Sequence, residues 1–171
     1  MHRTNKILII FIIYSCVLCI PKPNSFSIGM SESLGVFGML NANYTLNGWS
    51  NDLNKYSITV GGFLIPVFGG FGLNYKRYFN ISRKAPFVSL TAFSSYMIPV
   101  MCENCKGIKL KPFLSGCLGI DFDVIKIMQR NINIQIGIMS LYDIVEGGIF
   151  KSPSDKPGIW PVANIKLSGK F

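Results

Sequence analysis

The feature that most constrains the fold of this chain is an alternation of apolar and polar residues with a period of two, repeated along most of its length. It is most regular between Ile132 and Met139, where four isoleucines alternate with Asn133, Gln135 and Gly137. Because successive side chains of a β-strand point to opposite faces, this pattern predicts a strand with one apolar and one polar face. Similar segments recur from one end of the chain to the other, so the sequence predicts an all-β protein.

The alternation predicts seven strands, or eight if a short segment near residue 30 is counted. Turn-forming residues separate most of them, and 123–130 is predicted as a turn or one loose helical turn. An even number is what single-chain bacterial membrane barrels require, which favours eight. The predicted strands are Ile28–Glu32, Gly35–Leu46, Tyr56–Ile65, Phe71–Phe79, Phe87–Met97, Leu110–Phe122, Ile132–Met139 and Trp160–Phe171.

The two faces of these strands differ in a way that favours a membrane barrel over a soluble one. The apolar face carries Ile, Leu, Val, Phe and Tyr, whereas the polar face is mostly uncharged and rich in Gly; only 15% of the chain is charged. A soluble barrel would turn a charge-rich face to water, while a narrow hydrogen-bonded interior suits Ser, Thr, Asn, Gln and Gly. Aromatic residues near strand ends fit a girdle at the membrane surface: Tyr44, Tyr56, Tyr75, Phe79, Phe122 and Phe171.

The N-terminus has the layout of a secretory signal peptide. Arg3 and Lys6 precede the apolar run 7–20, prolines break that run, and Ser25 and Ser27 offer small residues at a cleavage site. We therefore expect export through the Sec pathway, with residues 1–27 as a cleaved signal peptide and 28–171 as the barrel domain. An uncleaved anchor helix fits less well because the run is short, and a lipoprotein site fits less well because large residues occupy its small-residue positions.

The stretch Trp160–Phe171 resembles the C-terminal signal strand of bacterial outer-membrane β-barrels. It alternates, with Ile165 and Leu167 on its apolar face, and ends on Phe171, although Gly169 stands where those strands usually carry a large apolar residue. The segment 70–93 resembles a hairpin of small outer-membrane β-barrel proteins, with a Gly-rich strand, a short turn and a Pro-aromatic-Val opening.

The resemblance implies an antiparallel up-and-down transmembrane β-barrel of eight strands in the outer membrane of a Gram-negative bacterium. It implies Phe171, Leu167 and Ile165 as an assembly signal, and the barrel-assembly machinery, outer-membrane lipid and lipopolysaccharide as partners. With Phe171 on the periplasmic side, the connections 99–107 and 143–159 are expected to face outside.

Cys102 and Cys105 form a C-x2-C pair in one of these connections. A zinc site needs about four ligands, and the expected mature chain has no histidine and only one further cysteine, Cys117. A local disulfide formed in an oxidising compartment is the favoured interpretation, with an unpaired thiol pair second. Cys117 is expected to point into the barrel as a small filler. No metal and no cofactor are predicted.

Catalysis is not predicted either. Some small outer-membrane barrels are lipid A deacylases or acyltransferases that use Ser with His, but His2, the only histidine, lies in the predicted signal peptide. The acidic residues Asp121, Asp123, Asp143 and Glu146 show no motif spacing. Asp121, on the predicted inner face, is expected to pair with Lys76, Lys166 or Lys170.

The expected mature chain carries 14 basic and 8 acidic residues, because Arg3, Lys6 and Lys22 fall in the leader. No motif supports nucleic acid as a partner. The densest basic group is Lys106, Lys109 and Lys111; it could contact lipopolysaccharide phosphates, but a solvated loop edge is the favoured interpretation.

These patterns predict a small outer-membrane barrel with a structural or surface-interaction role, and not an enzyme. An eight-stranded barrel is just wide enough for side chains to fill it, which argues against a diffusion pore. Two alternatives remain open: a narrow channel or small hydrophobic-ligand carrier, and a soluble secreted barrel of the lipocalin type.

Overall fold

The computed structural model describes residues 24–34, 39–62, 68–97, 109–127, 130–149 and 158–169, which form an antiparallel sheet closed into a barrel of eight strands. The described residues contain no helix, and therefore no helix that could cross a membrane. The elements are β1 Ser25–Met30, β2 Leu40–Thr45, β3 Asn54–Gly62, β4 Phe68–Tyr78, β5 Lys84–Met97, β6 Lys109–Ile127, β7 Arg130–Asp143, β8 Gly148–Ile149 and β9 Ile159–Gly169.

The barrel closes between its first and last strands. Each strand from β1 to β7 pairs with the next, β7 also pairs with β9, and β9 pairs with β1 from Ser25↔Ser168 to Met30↔Ala163. The two-residue β8 pairs only with the end of β7 and stands outside the ring of eight. Closure leaves no free edge in this ring, which removes the main route by which sheets aggregate. The predicted eight-stranded antiparallel barrel is confirmed.

Strand bounds near the N-terminus differ from the prediction. β1 begins at Ser25, so residues 25–27, predicted to belong to the signal peptide, form half of the first strand. The chain then leaves the sheet after Met30, and 31–34 turn into the barrel interior, where all four residues are buried. The predicted strand Ile28–Glu32 is therefore shifted, and its second half is a buried turn.

The prediction of a turn over 123–130 is wrong for the residues described there. β6 continues to Ile127 and pairs with β7 down to Arg130, with one extra residue, Val124, between Asp123 and Ile125. This β-bulge shifts the register by one residue, so the alternation of apolar and polar residues changes phase at Val124. The sequence pattern therefore looks like the end of a strand, although β6 is continuous.

The polarity of the barrel is reversed relative to that of a soluble protein. In β7, Ile136 is 54% exposed, while its neighbour Gln135 is 2% exposed in the interior. The predicted facing of this strand is confirmed. Exposed apolar residues surround the barrel: Phe26, Ile28, Leu40, Ile58, Val60, Phe71, Leu73, Leu90, Leu114, Leu118, Ile120, Ile136, Ile138 and Ile165. Buried polar residues line the inside: Ser27, Asn41, Asn43, Thr59, Asn74, Lys76, Ser89, Thr91, Ser115, Asp121, Gln135 and Asn164.

Candidate functional site

A cluster of charged residues occupies the barrel interior. Lys76, on the inner face of β4, forms an ion pair with Glu32 and a second with Asp121 of β6, at 3.5 Å. The Tyr78 hydroxyl donates a hydrogen bond to Asp121, and the Lys76 ammonium lies 4.1 Å from the centre of the Phe87 ring. Because the charges are buried, each needs a partner, and one lysine between two carboxylates provides it. The predicted pairing of Asp121 with Lys76 is confirmed.

Glu32 reaches this cluster because the β1–β2 connection folds inward. The Leu34 amide donates to the Ser31 hydroxyl at 3.3 Å, which shapes a tight turn. The Glu32 carbonyl accepts hydrogen bonds from Thr91 of β5 and Ser115 of β6, both at 3.2 Å. The turn 31–34 is therefore held by two strands on the other side of the barrel and forms an internal plug. Sequence analysis missed this plug; the polar run Ser31–Ser33, which breaks the alternation, was its only signal.

Beyond the plug, the interior is packed with apolar side chains. We call the end of the barrel that holds Ser25 and Gly169 the near end, and the opposite end the far end. The Phe93 and Phe113 rings stack with their centres 5.4 Å apart, and Leu34 of the plug belongs to the same core. Met139, Leu141 and Val162 complete this far-end packing. The plug and this packing both occupy the interior of the described barrel.

Hydrogen bonds between side chains join neighbouring strands inside the barrel. Thr59 donates to Asn43 at 2.7 Å, Asn74 donates to Thr91 at 2.6 Å, and Asn164 donates to Gln135 at 2.6 Å. Uncharged polar residues on the inner face thus bond directly to one another and link neighbouring strands inside the barrel.

A vestibule of about 320 Å³ opens at the near end. Its lining includes Lys55, Tyr78, Asp121, Asn133 and Lys166. Deeper in the barrel lies a second space of about 30 Å³, which we call the inner pocket; Lys55, Lys76, Lys166 and Tyr78 line it together with Glu32. Lys55, Tyr78 and Lys166 line both spaces, so the vestibule leads toward the charged cluster and the plug residue Glu32.

The predicted assembly-signal residues lie on β9 as far as the structure describes them. Ile165 pairs with Ile28 of β1 and Ile134 of β7, and Leu167 pairs with Phe26 and Ile132. Ile165 is exposed on the apolar outer face. Phe171 lies outside the described residues, and so does Lys170, which had been considered as a partner for Asp121.

Two of the three expected mature cysteines, Cys102 and Cys105, also lie outside the described residues, and their disulfide stays a prediction. Cys117 is a free, buried thiol on the inner face of β6, as predicted. The described part of the chain contains no group of three or more His, Cys, Asp or Glu side chains that could hold a metal ion.

Lys111 is the one lysine of the basic group whose ion pairs the structure describes, and it lies at the far end of the barrel. Lys111 forms ion pairs with Asp143 at 2.6 Å and with Glu146 at 2.7 Å. Asp143 also caps the following turn by accepting from the Val145 and Glu146 amides. Lys111 therefore has two carboxylate partners inside the protein, which weakens the idea that it binds phosphates. Lys106 lies outside the described residues, and Lys109 is the first residue of β6.

Comparisons of the chain with protein-family models, curated proteins and solved structures find no match.

Proposed function

We propose that this protein is a small β-barrel of the outer membrane of a Gram-negative bacterium, with a structural or surface-interaction role and no catalytic activity. The observation that carries the proposal is the reversed polarity: a continuous exposed apolar surface surrounds a polar, hydrogen-bonded interior. Isoleucine, leucine, valine and phenylalanine supply most of that surface.

The apolar character of this outer surface favours lipid over water as its surroundings. Monomeric soluble proteins rarely expose a contiguous apolar patch of more than a few hundred Å², and larger patches mark contact with protein or membrane. Here exposed apolar residues lie on all eight strands around the barrel. A hydrocarbon layer would cover these residues on every side. Closure between β1 and β9 satisfies the backbone polar groups within the sheet, as a lipid environment requires.

The closed interior supports a structural or surface role over a channel. The turn 31–34 and the far-end packing occupy the described interior, with Leu34, Phe93 and Phe113 buried in one cluster, and this packing favours a structural role over an open channel. A carrier of hydrophobic ligands would need an apolar cavity, whereas the vestibule is lined largely by polar and charged residues. A soluble lipocalin-like barrel would need the same apolar interior, with a polar surface outside.

Export and assembly form the other half of the proposal. The basic, apolar and small-residue segments of the N-terminus support Sec-dependent secretion, and the aromatic residue Phe171 in the sequence supports recognition by the barrel-assembly machinery. Outer-membrane lipid and lipopolysaccharide would then surround the barrel, with the near end facing the periplasm.

Fractionation combined with heat-modifiable gel mobility tests the proposal. The protein, expressed with its own N-terminus in a Gram-negative host, is expected in the outer-membrane fraction. Its unboiled form should migrate differently from its boiled form, because folded membrane barrels resist detergent. Recovery of the folded protein in the aqueous periplasmic fraction without detergent would contradict the proposal.

A further inference from the structure

We propose that the outer face of the barrel, at its near end, binds the phosphates of anionic phospholipids of the phosphatidylglycerol class. Three exposed basic residues on three strands, Arg77 of β4, Lys84 of β5 and Arg130 of β7, carry this inference, and we call them the basic border. The inference rests on the proposed membrane location. It adds to that location a preferred lipid, the end of the barrel at which this lipid binds, and the residues that bind it.

The alternation of facing along each strand places the basic border outside the lumen. Arg77 directly follows Lys76, which is buried in the interior. Lys84 and Arg130 each directly precede a residue that lines the vestibule. Because adjacent residues of a strand point to opposite faces, all three members of the border point toward the surroundings of the barrel.

No carboxylate among the described residues lies on the outer face of a strand. Arg77 and Lys84 have no ion-pair partner in the described part of the chain. The described carboxylates lie in the interior, in the vestibule lining or beside Lys111 at the far end: Glu32, Asp52, Asp121, Asp123, Asp143 and Glu146. The vestibule therefore carries charges of both signs, whereas the described outer face around it carries positive charge only.

Aromatic rings beside Arg77 indicate the depth at which the membrane surface would lie. Trp49 is 75% exposed and packs edge-to-face against Tyr56, with ring centres 6.4 Å apart. The Tyr56 ring lies 4.9 Å from that of Tyr75, two residues before Arg77. Trp and Tyr prefer the boundary between hydrocarbon and headgroups, because their rings are apolar and carry one polar group. Arg77 lies nearer the end of β4 than Tyr75, so its guanidinium group would reach the level of the phosphates.

The chemistry of the basic border matches an anionic headgroup. A guanidinium group can donate two parallel hydrogen bonds to phosphate oxygens, and a lysine supplies a point charge. A zwitterionic headgroup carries its own cation beside the phosphate, whereas phosphatidylglycerol carries a neutral glycerol. The border therefore favours the anionic lipid. In the proposed orientation, the near end lies in the periplasmic leaflet, where phospholipid rather than lipopolysaccharide supplies the phosphates.

Quenching of Trp49 fluorescence by brominated lipid tests this contact. The full-length mature protein is refolded into phosphatidylcholine vesicles with a minor fraction of brominated phosphatidylglycerol or, in parallel, of brominated phosphatidylcholine. The other tryptophan, Trp160, packs against the far-end core and gives a constant background. At low salt we expect the anionic lipid to be preferred beside Trp49 by about threefold or more. High salt should reduce this preference because it screens surface charges.

Two double variants with the same loss of charge separate the outer face from the lumen side. Arg77→Gln/Lys84→Gln should reduce the preference to within about 1.5-fold of equal quenching. Lys55→Gln/Lys126→Gln is the matched control and should keep the preference of the unmodified protein. Both of its lysines are exposed at the near end, but Lys55 lines the vestibule and Lys126 pairs with the vestibule residue Asn131.

Heat-modifiable mobility first confirms that each protein is folded in the vesicles. If Arg77→Gln/Lys84→Gln does not fold, Lys84→Gln alone carries the test and should lose about half of the preference. Equal quenching by the two lipids in the folded unmodified protein, or an equal loss in both double variants, would overturn the inference and leave the membrane barrel untouched. Failure of the unmodified protein to insert into vesicles would instead contradict the proposed function, and the inference with it.

Discussion

Lys76 illustrates how alternation assigns each residue of a strand to the outer face or to the interior. Its neighbours Tyr75 and Arg77 lie on the outer face of β4, and Arg77 is exposed near the end of the strand. A lysine at the bilayer midplane of such a barrel costs about 2–4 kcal/mol. On the inner face, Lys76 instead meets Glu32 and Asp121. A shift of β4 by one residue would therefore move Lys76 from its carboxylate partners in the interior to the outer face, where its charge would be unsatisfied.

Gly29 lies on the seam between β1 and β9 where the barrel closes. Its φ of 118° lies in a region that residues with side chains rarely adopt, and a Cβ there would overlap the backbone oxygen of Ala163 in β9. We expect Gly29→Ala to lower the unfolding free energy in detergent by about 1–3 kcal/mol, the usual cost of such a backbone conformation. Urea unfolding followed by heat-modifiable mobility measures this loss.

Gly116→Ala is the matched control, because a Cβ at Gly116 meets nothing within 4 Å. Its unfolding free energy should stay within about 0.5 kcal/mol of that of the unmodified protein. Equal effects of the two substitutions would show that β1 and β9 do not approach each other as closely as described.

At the scale of elements, β1 bears on the cleavage site of the predicted signal peptide. Ser25, Phe26 and Ser27 pair with β9 on one side and with β2 on the other. The backbone carbonyl of Asn24 accepts a hydrogen bond from the Gly169 amide at 3.0 Å. The side-chain oxygen of Asn24 accepts one from the Thr45 amide at 2.6 Å. Cleavage after Ser27 would remove these contacts.

We therefore expect the mature N-terminus to lie at or before Asn24. Intact-mass spectrometry of the protein purified from membranes measures this position. A mature chain that begins at Ile28 and still assembles would mean that half of β1 is dispensable for closure.

The last strand carries the prediction about assembly. In our proposal, the insertion machinery recognises Phe171, the aromatic residue that follows β9 in the sequence. Deletion of Phe171, or addition of a short polar tail after it, should leave the protein exported but unassembled in the periplasm. In a soluble barrel the terminal residue would be frayed and expendable.

Leu46→Ser, a polar change just after β2, is the control for this prediction and should assemble far better. Fractionation and heat-modifiable mobility give the readout for both variants. Normal insertion of the Phe171 deletion would remove the support for an outer-membrane signal and favour the soluble secreted barrel.

For the molecule as a whole, the sequence predicted those features that depend on neighbouring residues. Alternation over 132–139 predicts both a strand and its facing, because orientation within a strand is a local property. The plug was not predictable in this way: Glu32 lies 59 residues from Thr91 and 83 from Ser115, to which its carbonyl is bonded. The bulge at Val124 was not predicted for a related reason, because one extra residue changes the phase of the alternation without ending the strand.

The vestibule and inner pocket also depend on long-range geometry. Lys55, Lys76 and Lys166 are spread over more than one hundred residues of sequence and meet only after the barrel closes. Their inner-face positions follow from alternation, but their common depth follows from strand register. The sequence pattern therefore predicts that a lysine on a polar face lies in the interior, but it does not predict which other residues this lysine meets there.

The central claim, that lipid surrounds the outer face, is tested most directly by the folding free energy of Ile136→Lys in lipid vesicles, compared with Asn133→Lys in the same strand. Ile136 is 54% exposed on the outer face, whereas Asn133 lines the vestibule together with Asp121 and Asp123. We predict a loss of about 2–4 kcal/mol for Ile136→Lys and a much smaller change for Asn133→Lys. If Ile136→Lys folds as stably as the unmodified protein, with or without lipid, water rather than hydrocarbon surrounds the barrel and the account is contradicted.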